Sequence, residues 1–168
     1  MVDKNTVKKS KKKSNGRTNS KVNDTAVFED VRVNTKTKLA LIWVALMFLY
    51  VYNDILSFFQ PGTVNQLSTG TIEGMEMTQA FLFGGAVLMS IPSFMIILSV
   101  FLPAKTNRSV NIVVGVFHAF VLVSTTFVGG ETWAFYAYNM ILEGVFIGLI
   151  VWTAWSWPVL EQPRGDEQ

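Results

Sequence analysis

The chain has no cysteine and one histidine, His118, in 168 residues. A disulfide framework, a thiolate metal centre and haem held by two histidines of this chain are thereby excluded. Cations become scarce beyond residue 38, where only Lys105, Arg108 and Arg164 remain. Catalytic signatures are missing too: there is no phosphate-binding glycine loop, no HExxH, no G-x-S-x-G and no nucleophile with its base in local sequence. These absences point away from an enzyme and leave no residue set for a resident metal or cofactor.

The formal net charge of +2 averages two unlike segments. Residues 1–38 hold 11 of the 14 Lys and Arg against 4 acids, a local charge of +7, whereas residues 39–168 hold 3 against 8 acids, a local charge of −5. The first segment is rich in Asn, Ser, Thr and Lys and has no hydrophobic periodicity. It offers too little apolar surface to offset the entropy of ordering, so residues 1–38 are expected to be a disordered basic tail. Its dense run, Lys8, Lys9, Lys11, Lys12 and Lys13, suits anionic lipid headgroups; beside a membrane domain it gives no reason to invoke nucleic acid. A secretory signal is not expected, because a 38-residue leader precedes the first apolar run and no small-x-small cleavage pattern follows it.

What the chain has in abundance is long hydrophobic runs, at about 39–59, 80–102, 110–128 and 134–157. Each is long enough to cross a hydrocarbon core of ~30 Å, which takes about 20 helical residues. Barrel strands would be about half as long and would alternate in polarity. The predicted fold is all-α: a four-helix transmembrane bundle over 39–157, with residues 158–168 as a short tail. The cations then set the orientation. The leader, Lys105 and Arg108 in the 103–109 turn, and Arg164 all lie on one side, whereas the 60–79 and 129–133 connections carry only Glu73, Glu76 and Glu131. By the positive-inside rule both termini are expected in the cytoplasm, with Trp43, Trp133, Tyr136, Trp155 and Trp157 as interfacial anchors. Gln60, Pro61 and Gly62 stop the first helix, and Val64 to Ser68 is expected to be at most a short interfacial turn in a hairpin connection.

Three ionisable residues fall inside the runs: Asp54, His118 and Glu143. Such groups are costly in hydrocarbon and usually face the bundle interior. Helical spacing puts Tyr136, Asn139 and Glu143 on one face, and Asn111, Gly115, His118 and Thr125 on another. The first run places Trp43, Tyr50, Asp54 and Ser57 together, and the second has a small, weakly polar face of Ala86, Ser90 and Ser93. Depth adds a second criterion. At 1.5 Å per residue, Asp54 and Asn139 lie about 8 Å from the outer ends of their helices, and His118 and Glu143 about 14 to 15 Å, so a His118–Glu143 pair is expected one layer below a layer of Asp54, Asn139 and Tyr50. The candidate intramembrane site is therefore Tyr50, Asp54, Ser90, His118, Asn139 and Glu143, with His118 and Glu143 level enough to pass a proton. The bland alternative is an interhelical hydrogen bond worth ~0.6 kcal/mol. Pro92 is expected to kink the second helix, with the Ser90 hydroxyl available to a freed backbone group. Gly84, Gly85, Gly144 and Gly148 are expected at close helix approaches, and Gly144-x-x-x-Gly148 fits a homo-oligomer contact.

The stretches LYVYNDILSFFQPG (49–62) and LMSIPSFMIILSVFLPAKTNRSVNIVVGV (88–116), with a last helix that contains Glu143 and ends in Ala-Trp-Ser-Trp, resemble a family of small four-span bacterial membrane proteins known only as a domain of unknown function. The resemblance covers about residues 36–157, and Tyr50, Tyr52, Asp54, Pro61, Pro92, Asn107, Arg108, Asn111 and Glu143 match its pattern. Ser90 departs from it, standing where the family pattern has an acid just before Ile-Pro. The resemblance implies a bacterial inner-membrane location and supplies no biochemistry. Arg108 and Asn111 are expected to cap the inner mouth of the bundle, Arg108 also serving as a topological charge and headgroup contact. Two functions follow as expectations: a small carrier or channel with a proton-linked polar site, or a non-transporting scaffold or accessory subunit that recruits protein or anionic lipid.

Overall fold

A computed structural model describes residues 32–72, 74–127 and 133–158. The basic run at 8–13, Glu73, Glu131 and Arg164 lie outside the described residues. The elements are α1 (Thr35–Phe58), α2 (Thr63–Ser68), β1 (Thr71–Ile72), β2 (Met75–Glu76), α3 (Gln79–Phe101), α4 (Ala104–Thr126) and α5 (Ala134–Trp155). Four of these helices, α1, α3, α4 and α5, are long and apolar enough to cross a membrane.

Helix boundaries follow capping chemistry rather than hydropathy. α1 begins at Thr35, four residues before its apolar run, because the Asn34 side chain accepts the Lys36 backbone N–H at 3.0 Å and so satisfies one of the free donors of the first turn. α3 is capped in the same way by Thr78, whose hydroxyl accepts from the Phe81 N–H at 3.1 Å. The expected seven-residue turn at 103–109 is a correction. Only Leu102 and Pro103 separate α3 from α4, and the Asn107 N–H closes the first turn of α4 onto the Pro103 carbonyl at 2.8 Å. Lys105, Thr106, Asn107 and Arg108 depress the hydropathy of this segment without interrupting its helix.

Between α1 and α3 the chain forms a six-residue helix and a two-residue antiparallel hairpin, with Thr71 opposite Glu76 and Ile72 opposite Met75. Gly74, in the turn between the two strands, adopts φ +81°, a conformation that L side chains rarely take. These elements mark the hairpin end of the bundle. The opposite end, where α1 and α4 begin and α3 and α5 finish, carries all the described Lys and Arg: Arg32, Lys36, Lys38, Lys105 and Arg108.

α1 packs against α3 and α5, α5 packs against α4, and α3 meets α4 only sparingly. The central helix α1 buries Leu39, Trp43 and Leu46 against Met95 of α3 and Ile147, Ile150 and Ala154 of α5. These α1 positions continue through Tyr50, Asn53 and Ser57 in alternating steps of four and three, the 3.5-residue period of a left-handed bundle. α4 differs from its neighbours, for its buried residues are Asn107, Asn111, Gly115 and His118. Gly115 makes the close approach to α5: a Cβ there would lie 2.8 Å from Val151 Cγ2. The glycines expected to do this behave otherwise. Gly84, Gly85 and Gly148 would meet nothing within 4 Å, and Gly144 would only touch Leu122 at 3.7 Å.

Pro92 is buried inside α3. Its missing N–H leaves the Leu88 carbonyl without its usual helical donor. Ser90 does not supply a replacement, since its hydroxyl donates to the Val87 carbonyl at 2.7 Å, and Ser93 donates to Met89 at 3.0 Å. About half of the large apolar side chains of the four long helices point outwards, among them Leu41, Phe48, Phe94, Phe120, Ile141 and Trp152.

Candidate functional site

The polar side chains of the bundle form three layers along its axis. Nearest the basic end, Trp43, Ser99, Asn107 and Asn111 are all fully buried. The Trp43 indole N–H donates to Asn111 Oδ1 at 2.8 Å, and the Ser99 hydroxyl donates to the same oxygen at 3.3 Å. The Asn111 amide donates in turn to the Asn107 carbonyl at 2.9 Å and to Asn107 Oδ1 at 2.6 Å, while the Asn107 amide donates to the Ser99 carbonyl. Every polar side-chain group in this layer is therefore engaged, as a buried network must be to avoid an uncompensated desolvation cost. The layer also ties α1 to α4, and α3 to α4 near their short connection.

The middle layer joins three helices. The Tyr50 hydroxyl of α1 donates to Glu143 Oε1 of α5 at 2.8 Å and lies 3.3 Å from Nδ1 of His118 on α4. His118 and Glu143 are thus brought to one layer, but Tyr50 stands between them as the bridge. The depths agree: at 1.5 Å per residue Tyr50, His118 and Glu143 each lie about 12 to 14 Å from the hairpin-end terminus of their helix. His118 is 1% exposed and enclosed by aromatic rings. Trp43 and Phe117 each meet it edge to face at a centroid distance of 5.6 Å, and Tyr50 is stacked at 6.2 Å. Its second nitrogen, Nε2, is buried and has no hydrogen-bond partner among the described residues.

The third layer lies one turn closer to the hairpin end. The Asn139 amide donates to Asn53 Oδ1 at 3.0 Å. These two residues, with Leu49, Tyr50, Tyr136, Met140 and Glu143, line a small crevice of about 20 Å³. A space of ~10–15 Å³ on this measure holds one water, so the crevice has room for a single molecule beside the Glu143 carboxyl.

Several expected site residues lie elsewhere. Asp54 is exposed, and Asn53 takes the inward position. The α1 seam advances from Tyr50 by three residues, not four, because the next inward position after Leu46 and Tyr50 in a 3.5-residue period is 53. Ser90 lines an open groove of about 400 Å³ between α1 and α3 with Met47, Ala86, Met89, Ser93, Phe94 and Ile97, away from the polar layers. Thr125 is exposed. Asn111 is no cap of an inner mouth but the hub of a buried network. Arg108 does lie near the basic end, with its guanidinium carbon 5.8 Å from the centroid of the exposed Trp155 ring, a cation–π contact. Trp43, expected at an interface, is fully buried. Asn53, Ser99 and Asn107 complete the layers without having been singled out as site residues from the sequence; the signal for Asn53 was its place three residues after Tyr50.

Carboxyl, phenol and imidazole groups in hydrogen-bonding sequence can transfer protons over several ångströms with little heavy-atom motion. No curated protein and no solved structure matches the chain. Residues 26–161, which include all three polar layers, match DUF6326, a family of unknown function, and the chain belongs to that family.

Proposed function

We propose that this protein is a small proton-linked membrane carrier for a polar solute, with Tyr50, His118 and Glu143 as its proton-handling site. The observation that carries the reading is the Tyr50 hydroxyl, 2.8 Å from Glu143 and 3.3 Å from His118 Nδ1, contributed by three different helices at one depth. A carboxyl and an imidazole in this setting are expensive to keep in a bundle that an apolar solvent surrounds, which favours a functional reason for them. The filled axis at the basic end, where Trp43, Leu46, Met95 and Ile150 are buried, favours a carrier that rearranges over an open channel.

Four apolar helices with outward-facing Phe, Leu and Ile support the membrane location. The five described cations at one end support cytoplasmic termini and contact with anionic lipid there. The absence of native cysteine makes the orientation simple to test. In intact cells a membrane-impermeant maleimide should label the Val64→Cys variant at the hairpin end, whereas Thr106→Cys should react only after permeabilisation. The reverse pattern would invert the assignment.

The carrier reading is tested with protein reconstituted in vesicles under a pH gradient and an internal pH-sensitive dye, with candidate polar solutes supplied outside. Glu143→Gln should reduce solute-dependent proton movement by about a hundredfold, the lower bound for loss of a positioned acid–base group. If Glu143→Gln and His118→Ala both match the parent throughout, the proton-linked role fails and a non-transporting scaffold becomes the better account.

A further inference from the structure

We propose that His118, Tyr50 and Glu143 form an ordered proton wire, in which the unpaired Nε2 of His118 is one terminus, the Tyr50 hydroxyl is the relay and the Glu143 carboxyl is the other terminus, facing the crevice. This deepens the proton-linked reading and rests on it for transport, but its resting arrangement has a separate physical signature.

The phenol has one proton, and the 2.8 Å contact directs it to Glu143. Its oxygen can then accept from His118 Nδ1, 3.3 Å away, which places the imidazole proton on Nδ1. Nε2 is left as a bare lone pair, consistent with its having no partner among the described residues. The resting order is therefore Nδ1–H to phenol oxygen, and phenol O–H to carboxylate. Among the described residues, the other titratable groups near this line are the exposed Asp54 and Tyr52 of α1 and Tyr136 of α5, which lines the crevice with Glu143; α3 contributes none.

A proton entering at Nε2 forms an imidazolium with both nitrogens protonated. The Nδ1 proton passes to the Tyr50 oxygen as the Tyr50 proton passes to Glu143. The products are a neutral imidazole with its proton on Nε2, an intact phenol and a carboxylic acid. One proton has entered, three N–H or O–H bonds have formed if the entry step is included, and two have broken. The carboxylic acid can then release its proton to water in the crevice. From that state a proton loaded on Glu143 from the crevice drives the reverse steps: Tyr50 takes it as its own proton passes to Nδ1 and the Nε2 proton leaves, which restores the resting order. The two termini differ in access: Glu143 lines the crevice, whereas Nε2 is sealed, with Trp43 touching both the imidazole and the asparagine layer. Exchange at Nε2 therefore needs the aromatic packing around the imidazole to open, as alternating access requires.

Because His118 is the single histidine, nitrogen-15 histidine labelling of the full chain in lipid bilayers reports on this residue alone. At a pH where the ring is neutral, the parent should show a protonated Nδ1 and a bare Nε2. Tyr50→Phe keeps the aromatic ring and removes only the hydroxyl, so the proton should move to Nε2. Glu143→Gln retains a carbonyl to accept from Tyr50 and should keep the parental tautomer. In vesicles Tyr50→Phe should lower proton movement at least about tenfold, each factor of ten being 1.36 kcal/mol of barrier. The wire is overturned if the tautomer is the same in parent and Tyr50→Phe, or if Tyr50→Phe moves protons at the parental rate while Glu143→Gln is blocked. A parent that moves no protons under any condition instead defeats the carrier reading, and the tautomer measurement still decides the resting order.

Discussion

Replacing Trp43 with alanine will destabilise the bundle by about 4 kcal/mol, the middle of the range for removing a buried aromatic side chain. Trp43 is fully buried at the centre of α1 and belongs to the cluster formed with Leu39, Leu46, Met95, Ile147, Ile150 and Ala154. Its indole N–H is also a donor to Asn111 Oδ1 at 2.8 Å. The two contributions are separable. Trp43→Phe retains most of the ring and loses the N–H, while Asn111 Oδ1 keeps the Ser99 hydroxyl as donor, so it should cost about 1 kcal/mol, the net worth of one hydrogen bond. Thermal unfolding in detergent should then place the alanine variant roughly 10 °C below the parent, at 2–4 °C per kcal/mol for a chain of this size, and the phenylalanine variant only a few degrees below. A loss below about 1 kcal/mol for Trp43→Ala, the level of one hydrogen bond, would mean that the indole is a rim anchor rather than a core residue.

The misplacement of Trp43 from sequence has a physical origin. Tryptophan near the start of an apolar run serves equally well as an interfacial anchor or as a buried donor, and only its partner distinguishes the two. That partner, Asn111, looks like a mouth residue if α4 begins at 110 and a buried one if it begins at 104. The start depends on Pro103 and Asn107 closing the first turn of a helix whose polar residues conceal it from hydropathy. Ser99 and Asn107 were hidden for the same reason, since their contact requires the two-residue connection between α3 and α4.

Other features needed less tertiary information. The second apolar run, 80–102, coincides with α3 to within one residue at each end, because Thr78 and Pro103 bracket it. His118 and Glu143 reach one layer through rise per residue alone, once the helices are antiparallel neighbours, whereas Tyr50, expected one layer nearer the outer end with Asp54 and Asn139, joins them as the bridge. The rotation of α1 was harder to read. Asp54 attracts attention as a charge, yet the 3.5-residue period through 39, 43, 46, 50, 53 and 57 turns Asn53 inwards. A neutral amide in that position also keeps a second carboxylate away from Glu143.

Asn53 and Asn139 make the access to Glu143 testable. Replacing Asn139 with leucine removes its amide bond to Asn53 Oδ1 and fills the crevice with an apolar side chain. The stability cost should be small, ~0.6 kcal/mol for an average interhelical bond of this kind. The effect on proton movement should be much larger. A water excluded from Glu143 withdraws a charge-assisted hydrogen bond worth about 1.5 kcal/mol or more from the proton leaving the carboxyl, which corresponds to at least a tenfold slower rate. Asn139→Ser leaves room and polarity for the water and should retain most of the rate, and Asp54→Asn, on the exposed side of α1, should leave it unchanged. The Tyr50 bridge between Glu143 and His118 is untouched in all three variants, so the histidine tautomer should stay as in the parent. A folded Asn139→Leu protein that moves protons at the parental rate would show that Glu143 exchanges by another route; a loss in Asp54→Asn as deep as in Asn139→Leu would move the entrance to the outer face of α1.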